Sequence, residues 1–198
     1  NKYIKQDINK TIYYFNLSAK KNHPVAQFQL GLIYYEGFLV QKNIKKSIDL
    51  FLLSSKNGHI RSNFSIGFLY HEGKNIERDI NKSLHYYKEA SSFNDQYSKN
   101  NLGVLYRNGF EDKINKNLGN AIIYFEEAIK QKNDPVAMYN LAHLYIYENI
   151  NDKFNEAIYY LKICTIRIWN IGKFLKYNII FKKSNKSKLF QWIYKILR

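Results

Sequence analysis

The chain has 198 residues, 45% of them hydrophobic and 17% aromatic, with 18 Tyr and 13 Phe; that apolar content excludes a disordered chain, which could not offset the entropy of ordering. Only 2 Pro and 9 Gly interrupt it, which permits long helices and argues against a turn-rich β-sandwich. The net charge is +15; nine of those charges, with no acidic residue among them, fall in residues 165–198 (Arg167, Lys173, Lys176, Lys182, Lys183, Lys186, Lys188, Lys195 and Arg198), leaving +6 on residues 1–164.

A single cysteine, Cys164, excludes an internal disulfide framework and a thiolate zinc site, and is compatible with either the cytoplasm or the ER lumen. No run of 18 uncharged apolar residues is present, so no helix of this sequence is expected to cross a membrane. The chain opens on Asn without a signal-peptide pattern and is expected to be a piece of something longer.

Residues 1–10, NKYIKQDINK, match residues 73–82, GKNIERDINK, at an offset of 72. The chain is therefore expected to start in an inter-helix loop, with Asp7 capping a helix over about 7–20. A helix at about 24–36 follows, containing QLGLIYYEG (29–37); two near copies come later, SIGFLYHEG (65–73) and NLGVLYRNG (101–109). Gly31, Gly67 and Gly103 stand 36 residues apart, and a fourth copy, NLAHLYIYE, puts Ala142 at that position after 39. A fixed period of this size is the signature of a repeat array. First helices are expected at about 24–36, 60–72, 96–108 and 135–147. Second helices are expected at about 7–20, 43–56, 79–92, 117–131 and 153–164, with Asp79 as a further N-cap.

The aligned columns have distinct chemistry. Small residues recur at Ala26, Ser62, Ser98, Ala137 and at Gly31, Gly67, Gly103, Ala142; large ones recur at Leu30, Ile66, Leu102, Leu141 and at Tyr34, Tyr70, Tyr106, Tyr145. In the second helices the columns are Thr11, Ser47, Ser83, Ala121, Ala157; Phe15, Phe51, Tyr87, Phe125, Leu161; and Ser18, Ser54, Ala90, Ala128, Cys164. Glycine inside a helix costs about 1 kcal/mol relative to Ala, so its recurrence predicts a neighbouring helix too close for a side chain. Gly37, Gly73 and Gly109 are placed to end the first helices, and Glu148 replaces that glycine in the last repeat.

This pattern, small-x-x-x-Leu-Gly-x-x-Tyr-x-x-Gly with a loop and a second helix ending in small residues, resembles the SEL-1-like repeat, a relative of the tetratricopeptide repeat. The resemblance covers residues 1–164 and implies an all-α, right-handed superhelical solenoid of about four and a half helix–turn–helix repeats, starting mid-repeat, that holds other proteins together. Residues 165–198 do not match and form a separate basic segment.

The chain has little catalytic equipment. His23 and His59 recur in the same turn; His71 sits in a variable column with Tyr35, Arg107 and Ile146; His85 and His143 have no carboxylate, His or Cys at a recurring ligand spacing; Cys164 sits in a small-residue core column. The glycines are isolated within helices and make no phosphate loop. The reading is a non-enzymatic scaffold with no cofactor, metal, nucleic-acid partner or small-molecule substrate. In the related tetratricopeptide fold the first helices line a concave groove. That geometry, carried over by column, implies a protein-binding set of Phe28, Leu32 and Tyr35; Phe64, Phe68 and His71; Asn100, Val104 and Arg107; and Tyr139, His143 and Ile146. These columns vary where the packing columns do not, and they suit an apolar or aromatic segment of a partner protein. The alternative within the same resemblance is the SEL-1-like adaptor subunit of an ER-membrane ubiquitin ligase, acting in ER-associated degradation.

The tail stretch KSKLFQWIYKILR puts Leu189, Phe190, Ile193, Ile196 and Leu197 on one helical stripe among cations. It is read as a cap on the last repeat, with contact to an anionic membrane surface or docking to a partner as the other readings.

Overall fold

The repeat produces helices at the expected period. The computed structural model describes residues 2–37, 39–110 and 113–172, and among these the chain forms nine α-helices and no strand beyond an isolated bridge between Phe110 and Ile114. The chain divides into two units, Asn1–Ala128 and Ile129–Arg198. The first contains α1 (Lys2–Lys20), α2 (Pro24–Glu36), α3 (Ile44–Lys56), α4 (Arg61–Glu72), α5 (Ile80–Ser92), α6 (Gln96–Asn108) and most of α7 (Leu118–Lys132). The second contains α8 (Pro135–Tyr147), a 3-10 turn (Asn151–Lys153) and α9 (Phe154–Gly172).

Within the first unit, local chemistry sets where each helix stops and restarts. Gly37 and Gly73 end α2 and α4 with φ of +71° and +66°. A Cβ at either would also lie 2.6 Å from the Cβ of Lys42 or Arg78, so glycine is required twice over. The chain then returns to Asn43, Asp79 and Asn117. Their backbone N–H groups donate to the carbonyls of Tyr34, Tyr70 and Tyr106 at 2.9, 3.1 and 2.8 Å. Their side chains accept from the N–H groups of Lys46, Lys82 and Asn120 at 2.9, 3.0 and 2.9 Å. One residue therefore both closes the turn and caps the next helix. The Asp79 carboxylate is held below the usual range, chiefly by the Lys82 N–H it accepts.

The glycine column is a set of holes. A Cβ on Gly31, Gly67 or Gly103 would lie 2.5, 2.7 or 2.6 Å from ring carbons of Phe51, Tyr87 or Phe125. Those three rings are at most 1% exposed, and burying such a side chain contributes about 1.5–3 kcal/mol. Small residues beside the holes add hydrogen bonds between helices. Ser47 Oγ donates to the Gly31 carbonyl and Ser54 Oγ to the Pro24 carbonyl, both at 2.7 Å.

The joint from each second helix to the next first helix repeats as well. Asn22, Gly58 and Asn94 take positive φ, and His23, His59 and Asp95 donate backbone N–H to the carbonyls of Ser18, Ser54 and Ala90. Buried polar side chains cross this joint. Gln27 Nε2 donates to the Ala19 carbonyl at 3.0 Å and its Oε1 accepts from Asn57 Nδ2 at 2.9 Å. Two repeats on, at Lys99, the ammonium pairs with Glu127 at 2.9 Å.

In the second unit, Asp134 caps α8 through the Val136 N–H at 2.9 Å. Glu148 keeps negative φ, and Asn149, one residue later, takes the positive φ that glycine supplies elsewhere. Ala142 and Leu161 are both buried, and the buried Cys164 thiol donates to the Pro135 carbonyl at 3.1 Å, a packed thiol as its column predicts.

Two boundaries differ from the sequence reading. Residues 2–6 are helical instead of loop, so Asp7 lies inside α1 and not at its start. The matching loop uses left-handed backbone at Gly73 and Asn75, whereas Tyr3 stands in the place of Asn75, and a bulky side chain disfavours that conformation. At the other end, α9 continues past the expected stop at 164 to Gly172, the first helix-breaking residue after Cys164. The amphipathic stretch read at 186–198 lies outside the described residues.

Candidate functional site

The set implied for protein binding falls at positions three before, one after and four after the glycine column. Helical periodicity puts these on one face of each first helix. In α2, Phe28 is 6% exposed and belongs to the core with Ile44, Ile48, Phe51, Ile66 and Leu69. Its ring lies 5.5 Å from Phe51 and 4.4 Å from His59. This is a correction to its reading as a groove residue: the ring is consumed in the joint between repeats. Leu32 and Tyr35 are half-buried against the same core, and the Lys42 ammonium sits 5.2 Å from the Tyr35 ring centre.

In α4, Phe64 and Phe68 pack half-buried against Ile80, Tyr87, Leu102, Leu105 and Ile114. Phe64 also meets Tyr97, with ring centres 5.7 Å apart. His71 is half-buried, and its Nδ1 faces the Tyr87 hydroxyl at 3.5 Å. Asn101 Nδ2 donates to that hydroxyl at 3.0 Å, which leaves the phenol proton for His71. Burial first, and then the Arg78 guanidinium, hold the His71 imidazole below its ordinary value, against an opposite pull from Glu72. Burial likewise pushes the Tyr87 phenol up. Both groups are therefore neutral at pH 7, as the hydrogen bond between them requires.

In α6, Asn100 is 8% exposed and is withdrawn from the surface, a second correction. Val104 and Arg107 are half-exposed, and Arg107 Nε donates to Asn108 Oδ1 at 3.1 Å. In the second unit, α8 carries Tyr139, His143 and Ile146, all half-buried, and His143 stacks on Tyr147 at 4.0 Å.

The structure adds a column that the sequence reading passed over. Lys42, Arg78 and Lys116 stand eight, eight and ten residues after Tyr34, Tyr70 and Tyr106, each beside its turn glycine, and all three are exposed. Arg78 lies over the Phe110 ring at 4.2 Å and donates through Nε to the His71 carbonyl at 2.8 Å. Tyr35 and His71 thus each lie next to a recurrent cation, Lys42 and Arg78. The 36-residue spacing of Lys42 and Arg78 was the available signal. Among the described residues no group of three or more His, Cys, Asp or Glu could hold a metal, and no helix is long and apolar enough to cross a membrane.

The Sel1 repeat model matches residues 2–23, 24–59, 60–92, 96–133 and 135–163. No curated protein matches the sequence. Among solved structures, a protective antigen of uropathogenic Escherichia coli displaying an SLR fold is similar with TM-score 0.74 and 22% identity. The match covers 82% of this chain and 35% of that one, so this chain spans about a third of the antigen's length. A Sel1 repeat protein from Oxalobacter formigenes is similar with TM-score 0.70 and 24% identity, over 91% of this chain and 75% of that one. Helicobacter pylori cysteine rich protein B gives TM-score 0.51 and 23% identity, over 67% and 94%. These likenesses establish the fold, an all-α helical-repeat solenoid. Sel1 repeat proteins generally mediate protein–protein interactions and are typically non-catalytic. With five matched segments that take in nearly all of residues 2–163, the chain belongs to the Sel1 repeat family.

Proposed function

We propose that this chain is a non-enzymatic scaffold or adaptor that binds a partner protein along the first-helix face of its first unit. Tyr35, His71 and Arg107 choose the partner, and Leu32, Phe68 and Val104 supply the apolar bed. The observation that carries this reading is the division of labour among columns. In the first unit the hole stays glycine at 31, 67 and 103 and the knob stays an aromatic ring at 51, 87 and 125, while the half-exposed column reads Tyr, His, Arg. The recurrent cations Lys42, Arg78 and Lys116 give the face a basic rim, so the partner is an apolar or aromatic helix or extended segment flanked by acidic residues. The matching positions of the second unit, Tyr139, His143 and Ile146, form a candidate contact set of their own.

The reading as an ER-membrane ubiquitin-ligase adaptor rests on the repeat alone, whereas the groove reading rests on named side chains as well. Affinity capture with the full chain and with a Tyr35→Ser/Arg107→Ala variant tests it. Loss of specific partners from a variant with unchanged helical content is the expected result; an identical partner set from both proteins would contradict the reading.

A further inference from the structure

Phe51, Tyr87 and Phe125 press the same part of their rings onto Gly31, Gly67 and Gly103. That packing needs only the ring, since phenylalanine does it one repeat before and one repeat after Tyr87. The Tyr87 hydroxyl is an addition, carried into a fully buried place where a polar group is costly unless it is hydrogen-bonded. It meets two partners, Asn101 Nδ2 of α6 at 3.0 Å and His71 Nδ1 of α4 at 3.5 Å. The hydroxyl thus stands in the one repeat of the first unit whose selecting residue is a histidine; where Tyr35 and Arg107 stand, the knob is Phe51 or Phe125.

A phenol oxygen that accepts from Asn101 has one proton to give. Nδ1 takes it only as the unprotonated nitrogen of a neutral imidazole, and the ring proton then sits on Nε2. The His71 ring meets the Tyr87 ring edge-on, with centres 6.1 Å apart and planes at 83°. Arg78 Nε donates to the His71 carbonyl at 2.8 Å, so both the main chain and the ring of His71 are held. No described residue bonds to Nε2, and the side chain is only half-buried.

We infer that Tyr87 and Asn101 are positioning residues that hold His71 in its Nε2–H tautomer, so that this position presents a hydrogen-bond donor and selects an acceptor oxygen on the partner. The tautomer is a property of the chain alone; the selection rests on the binding face proposed above. The other two residues of the column, Tyr35 with its hydroxyl and Arg107 with its guanidinium, carry donors as well. The matching feature of the partner is therefore a row of acceptors, supplied by the carboxylates and main-chain carbonyls of an acidic segment. Fixing the imidazole before the partner arrives spares the cost of orienting it on binding.

Long-range proton–nitrogen NMR of the full 198-residue chain at about pH 8, where the imidazole is neutral, reads the tautomer directly. His71→Gln identifies the signals. The wild type should give the limiting shifts of a single Nε2–H tautomer, whereas an unrestrained imidazole gives averages over two. Tyr87→Phe, which keeps a ring in the Gly67 hole, should move the shifts toward those averages, and Asn101→Ala should do so less. Ser83→Ala, at a residue also beside the phenol, should leave them in place. Averaged shifts in the wild type, an Nδ1–H tautomer, or shifts that Tyr87→Phe does not move would overturn the positioning role without touching the binding face. Selection is read by capture of the partners that the wild-type chain retains. His71→Gln, which can still donate, should keep them, and His71→Met, which cannot, should lose them several-fold. Equal capture by His71→Met would overturn the donor assignment, whereas equal capture by the Tyr35→Ser/Arg107→Ala variant would overturn the face itself.

Discussion

A Cβ atom on Gly67 would lie 2.7 Å from Cδ1 of Tyr87, closer than two non-bonded carbons tolerate. The same relationship joins Gly31 to Phe51 and Gly103 to Phe125. In the last repeat both columns change together, to Ala142 and Leu161. Hole and knob therefore behave as one unit of sequence. Gly67→Ala gains about 1 kcal/mol of helix propensity but forces a buried ring to move, at about 1–3 kcal/mol. A net loss of up to about 2 kcal/mol is expected, or a few degrees in melting temperature. Tyr87→Leu alone leaves a void and also destabilises. The double variant should be more stable than the sum of the two losses predicts, by about 1 kcal/mol or more in a double-mutant cycle. Strict additivity would show that hole and knob are independent.

The cap residues carry two hydrogen bonds each. Asp79→Ala removes the bond to the Lys82 N–H and should cost about 1 kcal/mol. Asp79→Asn, which keeps an accepting oxygen, should cost much less. Thermal melts of the two variants separate these outcomes, and equal losses would contradict a capping role.

Stability should depend on pH through His59 and His71. Burial holds both below the ordinary value of 6.5, with Arg61 adding to the effect at His59 and Arg78 at His71. Below pH 6.5 the unfolded chain takes up these protons more readily than the folded one. The stabilisation is therefore present above that value and is lost as pH falls through it toward the folded-state values. Melting temperature should fall between about pH 7 and pH 5, and His71→Gln should flatten the slope. A slope unchanged by that substitution would remove His71 from the explanation.

The basic rim makes a kinetic prediction. Replacing Lys42, Arg78 and Lys116 together by Gln should slow association with a partner captured by the wild-type chain. It should also reduce the salt dependence of association, because exposed charges steer encounter and are screened within about 8 Å at physiological ionic strength. An unchanged salt dependence, measured by stopped flow, would place the partner away from that rim.

Most of the helical framework was legible in the sequence, because a period of 36 residues aligns positions with the same physical task. Pro24–Glu36 and Pro135–Tyr147 fall where their columns place them. Features that depend on what lies opposite were not legible. Phe28 and Asn100 occupy a variable column yet are buried, Phe28 against Ile66 and Leu69 of the next repeat, and one column's variation cannot report that. The start of α1 was misread because the match to residues 73–82 included Tyr3 at a left-handed position. The caps at Asn43 and Asn117 were passed over because Asn is abundant throughout the chain, which hides its recurrence at one register.

The division between packing columns and a selecting column is tested most directly by exchanging two residues within the selecting column, Tyr35→Arg together with Arg107→Tyr. Composition and net charge stay fixed, and neither side chain fills a glycine hole. Affinity capture and a thermal melt are read on the same protein. The expected result is a melting temperature within about 2–4 °C of wild type, corresponding to about 1 kcal/mol or less, with the wild-type partners lost or replaced. Retention of the same partners at the same yield, in a protein that melts as before, would contradict the assignment of selectivity to this column.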